Sequence, residues 1–391
     1  MSAGHPELVA AIASEVTASG PIPFARFMEL ALYHPQFGYY VCASKPATSR
    51  IGRTGDFYTS SDVHPILGQV LTKQAEQMDR LLDRPSPFTI MEMGSGKGLL
   101  ARQILSAAQH DYPSLFHRLR YVLIERSPAM REAQRHNLAP WLDRPELVTW
   151  VDDLAQIPTH SLTGLFFSNE LVDSFPVHRI QMTAQGLKEL WVDYQDGQFV
   201  ECLKPLSSEQ LATQLRRIGL DWAEGYRTEV NLQALEWMAH VAQRLDRGFV
   251  LTIDYGHTTQ DLYSADRKRG TFLCYRQHTV HEDPFLHVGE QDMTTHVDFS
   301  SLAIAGEAQG LQTTGFTNQM SFLMGLGIEQ MLTGLPQDSP ELAAAIQLLR
   351  PNGMGTTFKV LVQHKAVPNP KLDGLQYQPF FRSALTTQSA A

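Results

Sequence analysis

The chain reads as an α/β protein built on a mostly parallel, doubly wound sheet, and three observations predict it. First, in Phe88–Leu105 a short apolar run ends in Glu92, glycines follow at Gly94, Gly96 and Gly98, and Leu100, Ile104 and Leu105 fall at helical spacing. That is a strand, a tight turn and a helix. Second, short apolar runs recur downstream with helical stretches between them: Tyr121–Glu125, Leu147–Val151, Gly164–Ser168 and Gly248–Asp254, each reaching an acid or Asn169 at its end. Third, 391 residues with 43 % apolar content can bury a large core.

The glycines have a physical job. They let the backbone bend at positive φ, and they let a ligand lie against bare main chain where helix N–H groups point. A dinucleotide site needs G-x-G-x-x-G. Here the third glycine comes two residues after the second, and Glu92 stands two before the first. A carboxylate there repels a pyrophosphate and suits a cation. E-x-G-x-G-x-G is the pattern of S-adenosylmethionine (SAM) sites, whose ligand carries a sulfonium and an ammonium. The bland alternative is a turn that only packs helix on strand.

From the start of the chain, 7–18 and 23–32 have helical spacing and are separated by Gly20-Pro-Ile-Pro23. An aromatic turn, Leu32–Tyr40, and a loop, Gly52–Asp62, precede a helix from about 64 to 82. Residues 1–85 are thus expected to form an N-terminal helical lid, with Thr59 and Ser60 offering hydroxyls to the SAM carboxylate. After the glycine turn, Glu125 can accept from a ribose diol. Ser127-Pro128 then caps and starts a helix. Of the acids after the third strand, Asp152 suits the adenine amino group, and Asp153 suits either that role or the cap of the next turn.

The fourth strand runs into Asn169-Glu-Leu-Val-Asp-Ser-Phe-Pro176. Chemistry gathers at the carboxyl ends of such strands. Pro176 limits a helix here to one turn, in which Glu170 and Asp173 share a face. Two adjacent carboxylates are costly unless a cation joins them; the plain alternative is an Asn cap with two solvated acids. Alternating runs over 177–203 around an Asp196-Gly197 turn predict an antiparallel β insertion, with a helix near 207–218. Helical spacing returns over 231–245, near Asp298 and over 340–349. Thr271–His278 looks extended, and Thr356–Gln363 is the expected last strand. The expected organisation is a lid (1–85), the main domain (86–365, with the insertion at about 177–225) and a flexible tail (366–391).

The motifs together carry a resemblance. Gly20–Tyr40, Gly55–Ser60, Glu92–Gly98, Glu125–Pro128, Asn169–Asp173 with Pro176, Asp254-Tyr-Gly256, Thr294–Phe299 and Met354–Leu361 occur in the order found in the MidA-type methyltransferases. These are relatives of a mitochondrial complex I assembly factor that methylates arginine. The resemblance implies a class I SAM-dependent methyltransferase fold, Rossmann-like, with a seven-stranded, mostly parallel sheet. It further implies ω-N methylation of an arginine on a respiratory complex I subunit. S-adenosyl-L-homocysteine (SAH) would be the product.

Methyl transfer is an in-line displacement that gains from alignment and exclusion of water. Arginine is a poor nucleophile, because its guanidinium stays protonated and its charge is delocalised. Paired carboxylates grip two of its nitrogens and aim the third. Glu170 and Asp173 are the expected grip and Asn169 the orienting residue. His296 is the expected proton acceptor, unless it forms a structural pair with Asp298. Asp254 is an alternative second acid. Rival readings are methylation of a small molecule, or a SAM-binding assembly factor without turnover; the glycine spacing disfavours a nicotinamide dehydrogenase.

A formal net charge of −9 argues against a nucleic-acid binder. No apolar run has transmembrane length. Cys42, Cys202 and Cys274 form no metal or disulfide spacing, and no metal is expected. No signal or transit peptide is evident in 1–15, so a bacterial cytoplasmic protein is expected. The expected partner is a protein substrate; a homodimer is left open.

Overall fold

The computed structural model describes residues 4–42, 56, 64–219, 221–351 and 353–387. The main sheet is traversed by β1 (Phe88–Met93), β2 (Leu119–Ile124), β3 (Val148–Val151), β4 (Leu162–Asn169), β5 (Leu245–His257), β6 (Gln312–Asn318) and β7 (Phe358–Lys365). Their spatial order is β3-β2-β1-β4-β5-β7-β6. Neighbours from β3 to β5 are parallel, and β7 is antiparallel to both β5 and β6. A two-residue strand, Val297–Asp298, adds in parallel beside the end of β5. The order reverses between β1 and β4, which opens a crevice beyond their carboxyl ends. The expected seven-stranded, mostly parallel sheet is present.

β6 is the strand that sequence reading leaves out. Its one large apolar residue is Phe316, so it shows neither a buried run nor an alternation. Strand alternation sends Phe88 and Ile90 to one face of the sheet and Met91 to the other. On the first face lie the helices Ile66–Leu81 and Leu99–Asp111; on the second lie Leu232–Arg244 and Phe299–Glu307. The helix Ile66–Leu81 is therefore part of the α/β layer. The expected lid boundary at residue 85 falls too late, because Leu67, Val70, Leu71 and Met78 pack on the sheet.

The earlier helices, Pro6–Ser19 and Phe24–Tyr33, belong to a second lobe. They bury Leu8, Ile12, Phe24, Phe27 and Met28 with Val177, Val192, Phe199 and Met293. Its antiparallel sheet holds Ile22–Pro23, His178–Thr183, Gly186–Gln195, Gln198–Lys204 and Arg227–Val230. The Asp196-Gly197 hairpin closes with both residues at positive φ (51° and 80°), as a tight hairpin turn requires. A small sheet of Leu273–Arg276, Thr279–His281 and Asp292–Thr294 completes the lobe. The insertion thus runs past 225 to Val230 and draws in 271–294, which lie far away in sequence.

The flexible tail is a second correction. Val367 and Leu372 join the core, and Gly374 packs on Phe322. Gln77 Nε2 donates to Asp373 Oδ1 (2.8 Å), Asp373 N donates to Gln77 Oε1 (3.0 Å), and Phe381 stacks on Phe316. Residues 366–387 are a docked strap. Among the described residues, no helix is long and apolar enough to cross a membrane.

Candidate active site

A cavity of about 740 Å³ opens at the carboxyl ends of β1–β5, with the sheet as its floor and the second lobe as its roof. The glycine turn forms one wall. Gly94, Gly96 and Gly98 have φ of 80°, 48° and 77°, and Gly98 is the N-cap of the helix Leu99–Asp111. A Cβ on Gly94 would sit 3.0 Å from Leu171 Cδ1, and one on Gly98 would sit 3.1 Å from Gln134 Cγ. Gly94 and Gly96 line the cavity; Gly98 sets the start of the helix behind them.

The strand-end acids follow. Glu92 lines the cavity and accepts from Tyr121 Oη at 2.7 Å; burial pushes its carboxyl up to about 7. Glu125 Oε1 accepts from Ser127 N (2.8 Å) and Oε2 from Gln134 Nε2 (3.1 Å). These bonds fix its orientation and leave each oxygen a lone pair for a diol. Asp152 stands on the rim, paired with Arg131 Nη2 at 2.6 Å. Asp153 caps the turn Leu154–Gln156 through Ala155 N (2.8 Å) and pairs with Arg126. Both its oxygens are thus engaged locally, as are those of Asp152, whose Oδ2 accepts from Gln156 Nε2 at 3.3 Å. Thr59 and Ser60 lie outside the described residues.

The turn after β4 carries the other expected residues. Glu170 has φ of 53°, an uncommon conformation for a side chain other than glycine, and is followed by the turn Val172–Ser174. Asn169, Glu170 and Asp173 all line the cavity. Asn169 Nδ2 donates to Glu170 Oε1 (3.1 Å), while its own Oδ1 is buried without a partner. Asp173 Oδ2 accepts from Tyr255 Oη; its Oδ1 is buried and, among the described residues, has no side-chain partner. Burial raises the Asp173 carboxyl above the usual range.

Asp254 does not face the cavity. It is fully buried, and its Oδ2 accepts from Leu171 N (3.2 Å), Val172 N (2.9 Å) and Asp173 N (3.3 Å). Oδ1 accepts from Tyr255 N (2.9 Å). It is therefore the backbone anchor of the turn, not a second catalytic acid.

His296 lines the cavity, but burial pushes its imidazole down to about 4. So weak a base is poorly matched to a proton leaving a guanidinium. Nor does it pair with Asp298, which caps the helix Phe299–Glu307 through Ser301 N. Its ring nitrogen partner is His257, at 3.0 Å. The proton-acceptor role expected of His296 is thus disfavoured by its surroundings.

Three contributors were not singled out from the sequence. Asp292 lines the cavity from the second lobe; its Oδ1 accepts from Tyr40 Oη at 2.7 Å, and burial, then the charge of Asp173, pushes its carboxyl up to about 7. Tyr40 stacks on Tyr33 (5.5 Å), whose hydroxyl bonds Ser174 Oγ at 3.0 Å. Tyr255 supports Asp173. The aromatic turn Leu32–Tyr40 was a visible signal for Tyr33 and Tyr40; Asp292 had none.

A glycine turn at the switch point, acids on successive strand ends and a roofed cavity define a nucleoside-type methyl-donor site on an α/β sheet. Residues 70–317 match the model of a family described as "Putative S-adenosyl-L-methionine-dependent methyltransferase", and the chain belongs to that family. The mitochondrial protein arginine methyltransferase NDUFAF7 of Homo sapiens is 27 % identical, over 93 % of this chain and 84 % of the human protein. Its Drosophila melanogaster homologue is 28 % identical, over 95 % and 87 %. A Burkholderia thailandensis protein crystallised with SAH superposes with a TM-score of 0.84 at 32 % identity, covering 94 % of both chains.

The residues fit SAM, the cofactor of this family. The turn offers bare backbone, and Glu125 offers lone pairs to a diol.

Proposed function

We propose that the protein transfers a methyl group from SAM to an arginine side chain of a protein. The charge of the cavity carries this reading. Among the described residues, nine carboxylate side chains line it against Lys97 and Arg126, and Tyr33, Tyr40, Tyr255 and Tyr275 stand among them. Acids beside aromatic faces suit a flat, weakly hydrated cation. The names of the mitochondrial relatives support the same substrate class.

Bound SAM supplies an electrophilic methyl on a sulfonium. Glu92, the glycine turn, Glu125 and Asp152 hold the donor. Asp173 and Glu170, on the turn after β4, take the guanidinium nitrogens, and Asn169 orients the turn. The second lobe excludes water, which strengthens each of these contacts. The proton released from the methylated nitrogen passes to a carboxylate of this cluster. We further propose a bacterial cytoplasmic setting and, as the resemblance implies, a respiratory complex I-type subunit as target.

The test is to incubate the protein with radiolabelled SAM and an extract from cells lacking it, then hydrolyse the protein fraction. Label co-migrating with methylarginine is the expected result. Label in the small-molecule fraction, in another amino acid, or in nothing overturns the proposal.

A further inference from the structure

The seven-stranded sheet explains donor binding but not what is methylated. Substrate choice belongs to what is added to the sheet, which here is the second lobe. Two acids of that lobe line the cavity: Glu29, which pairs with Arg26, and the buried Asp292. Asp292, 2 % exposed, starts the strand Asp292–Thr294, while Asp173, 6 % exposed, comes from the turn after β4. Thr295 N donates to the Asp173 carbonyl at 2.9 Å and ties the two walls together.

Each acid is held by a tyrosine hydroxyl, Asp292 by Tyr40 and Asp173 by Tyr255. Neither tyrosine brings positive charge. Two buried carboxylates facing one cavity repel each other unless a cation or a shared proton joins them. Two acids on opposite walls of one cavity, each turned by a tyrosine hydroxyl, describe the complement of a planar group with several N–H donors.

We infer that Asp292 and Asp173 form a clamp between the two lobes that receives the substrate guanidinium, with Tyr40 and Tyr255 fixing the acids. This rests on the arginine reading above and adds the residue that makes the site selective. Asp292 is the partner of Asp173 across the cavity, and the clamp favours a forked guanidinium over a single ammonium.

The experiment is calorimetry on the full chain saturated with SAH, using Nα-acetyl-L-arginine amide and Nα-acetyl-L-lysine amide as probes. SAH affinity is measured alongside as the control for folding. Wild type is expected to bind the arginine amide at least tenfold more tightly than the lysine amide. Asp292→Asn is expected to weaken the arginine amide roughly thirtyfold, on the order of one charge-assisted hydrogen bond, with SAH affinity kept within about twofold. Tyr40→Phe, which keeps the ring, is expected to cost a few-fold. The inference is overturned if Asp292→Asn binds the arginine amide like wild type, if it loses SAH equally, or if wild type does not prefer arginine. Methylarginine formed in the extract together with unchanged probe binding by Asp292→Asn sinks the clamp alone. Absence of methylarginine, with no probe bound by wild type, sinks the arginine reading itself.

Discussion

Replacing Asp254 with alanine tests how the active-site turn is held. Its carboxylate accepts four backbone N–H groups, three of them from the stretch Leu171–Asp173 that places Glu170 and Asp173 in the cavity. Alanine leaves those donors buried without an acceptor, at about 1–3 kcal/mol each and at the low end for the bonds of 3.2 and 3.3 Å. Removing a charge beside Asp173 and Glu170 relieves repulsion and offsets part of that cost. The net expectation is a loss of about 4–8 kcal/mol less that relief. Asp254→Asn keeps an oxygen for the three N–H groups and is expected to cost about 1 kcal/mol. Urea denaturation of both variants, with SAH affinity followed in parallel, reads the difference. A cost below about 0.5 kcal/mol for the alanine, or equal costs for both, refutes the anchoring argument.

Other outcomes follow from the same contacts. Gly94→Ala forces a side chain into positive φ and toward Leu171, so it is expected to cost about 1 kcal/mol in stability and to weaken SAH at least tenfold by calorimetry; unchanged SAH affinity contradicts the bare-backbone wall. Burial holds Asp292 near 7 when the site carries no cation, and the neutral acid attracts a guanidinium less. Methyl transfer per unit substrate should therefore rise with pH through about 7 and flatten above it, and Asp292→Asn should lack that limb; a flat wild-type profile from pH 5.5 to 8.5 goes against the assignment. The sign for stability is opposite. Raised carboxyls at Glu92, Asp173 and Asp292 mean that the folded chain holds more protons than the unfolded one, so stability without SAM should fall as pH climbs from about 4.5 to 7; urea midpoints that rise over this window contradict it. Truncation after Lys365 removes Val367 and Leu372 from the core and should lower stability by about 2–4 kcal/mol, whereas a loose tail would cost nothing.

The parallel strands were legible because each is a buried apolar run that ends in a polar residue beside the crevice, as in Phe88–Met93 and Leu162–Asn169. Glu92, Glu125, Asn169, Glu170 and Asp173 could be singled out for the same reason. β6 could not, since a Thr-rich edge strand with Phe316 alone carries no period. Asp254 was visible as an acid, but its use depended on three N–H groups more than 80 residues earlier in the chain, and no local pattern reports such pairing. Asp292 was hidden differently. It opens a three-residue strand in a polar stretch and acquires its meaning only when the second lobe folds over the sheet. The tail misled through composition, because Pro- and Gln-rich sequence reads as loose although Gln74 and Gln77 hold it through backbone bonds.

Titration of the purified protein with SAM tests the central claim most directly, namely that strand-end acids beside a bare glycine turn bind a positively charged methyl donor. One site per chain is predicted, with affinity cut at least tenfold in Glu125→Ala, where the diol loses its acceptor. Heat of dilution alone, or binding indifferent to Glu125→Ala and Gly94→Ala, would contradict it.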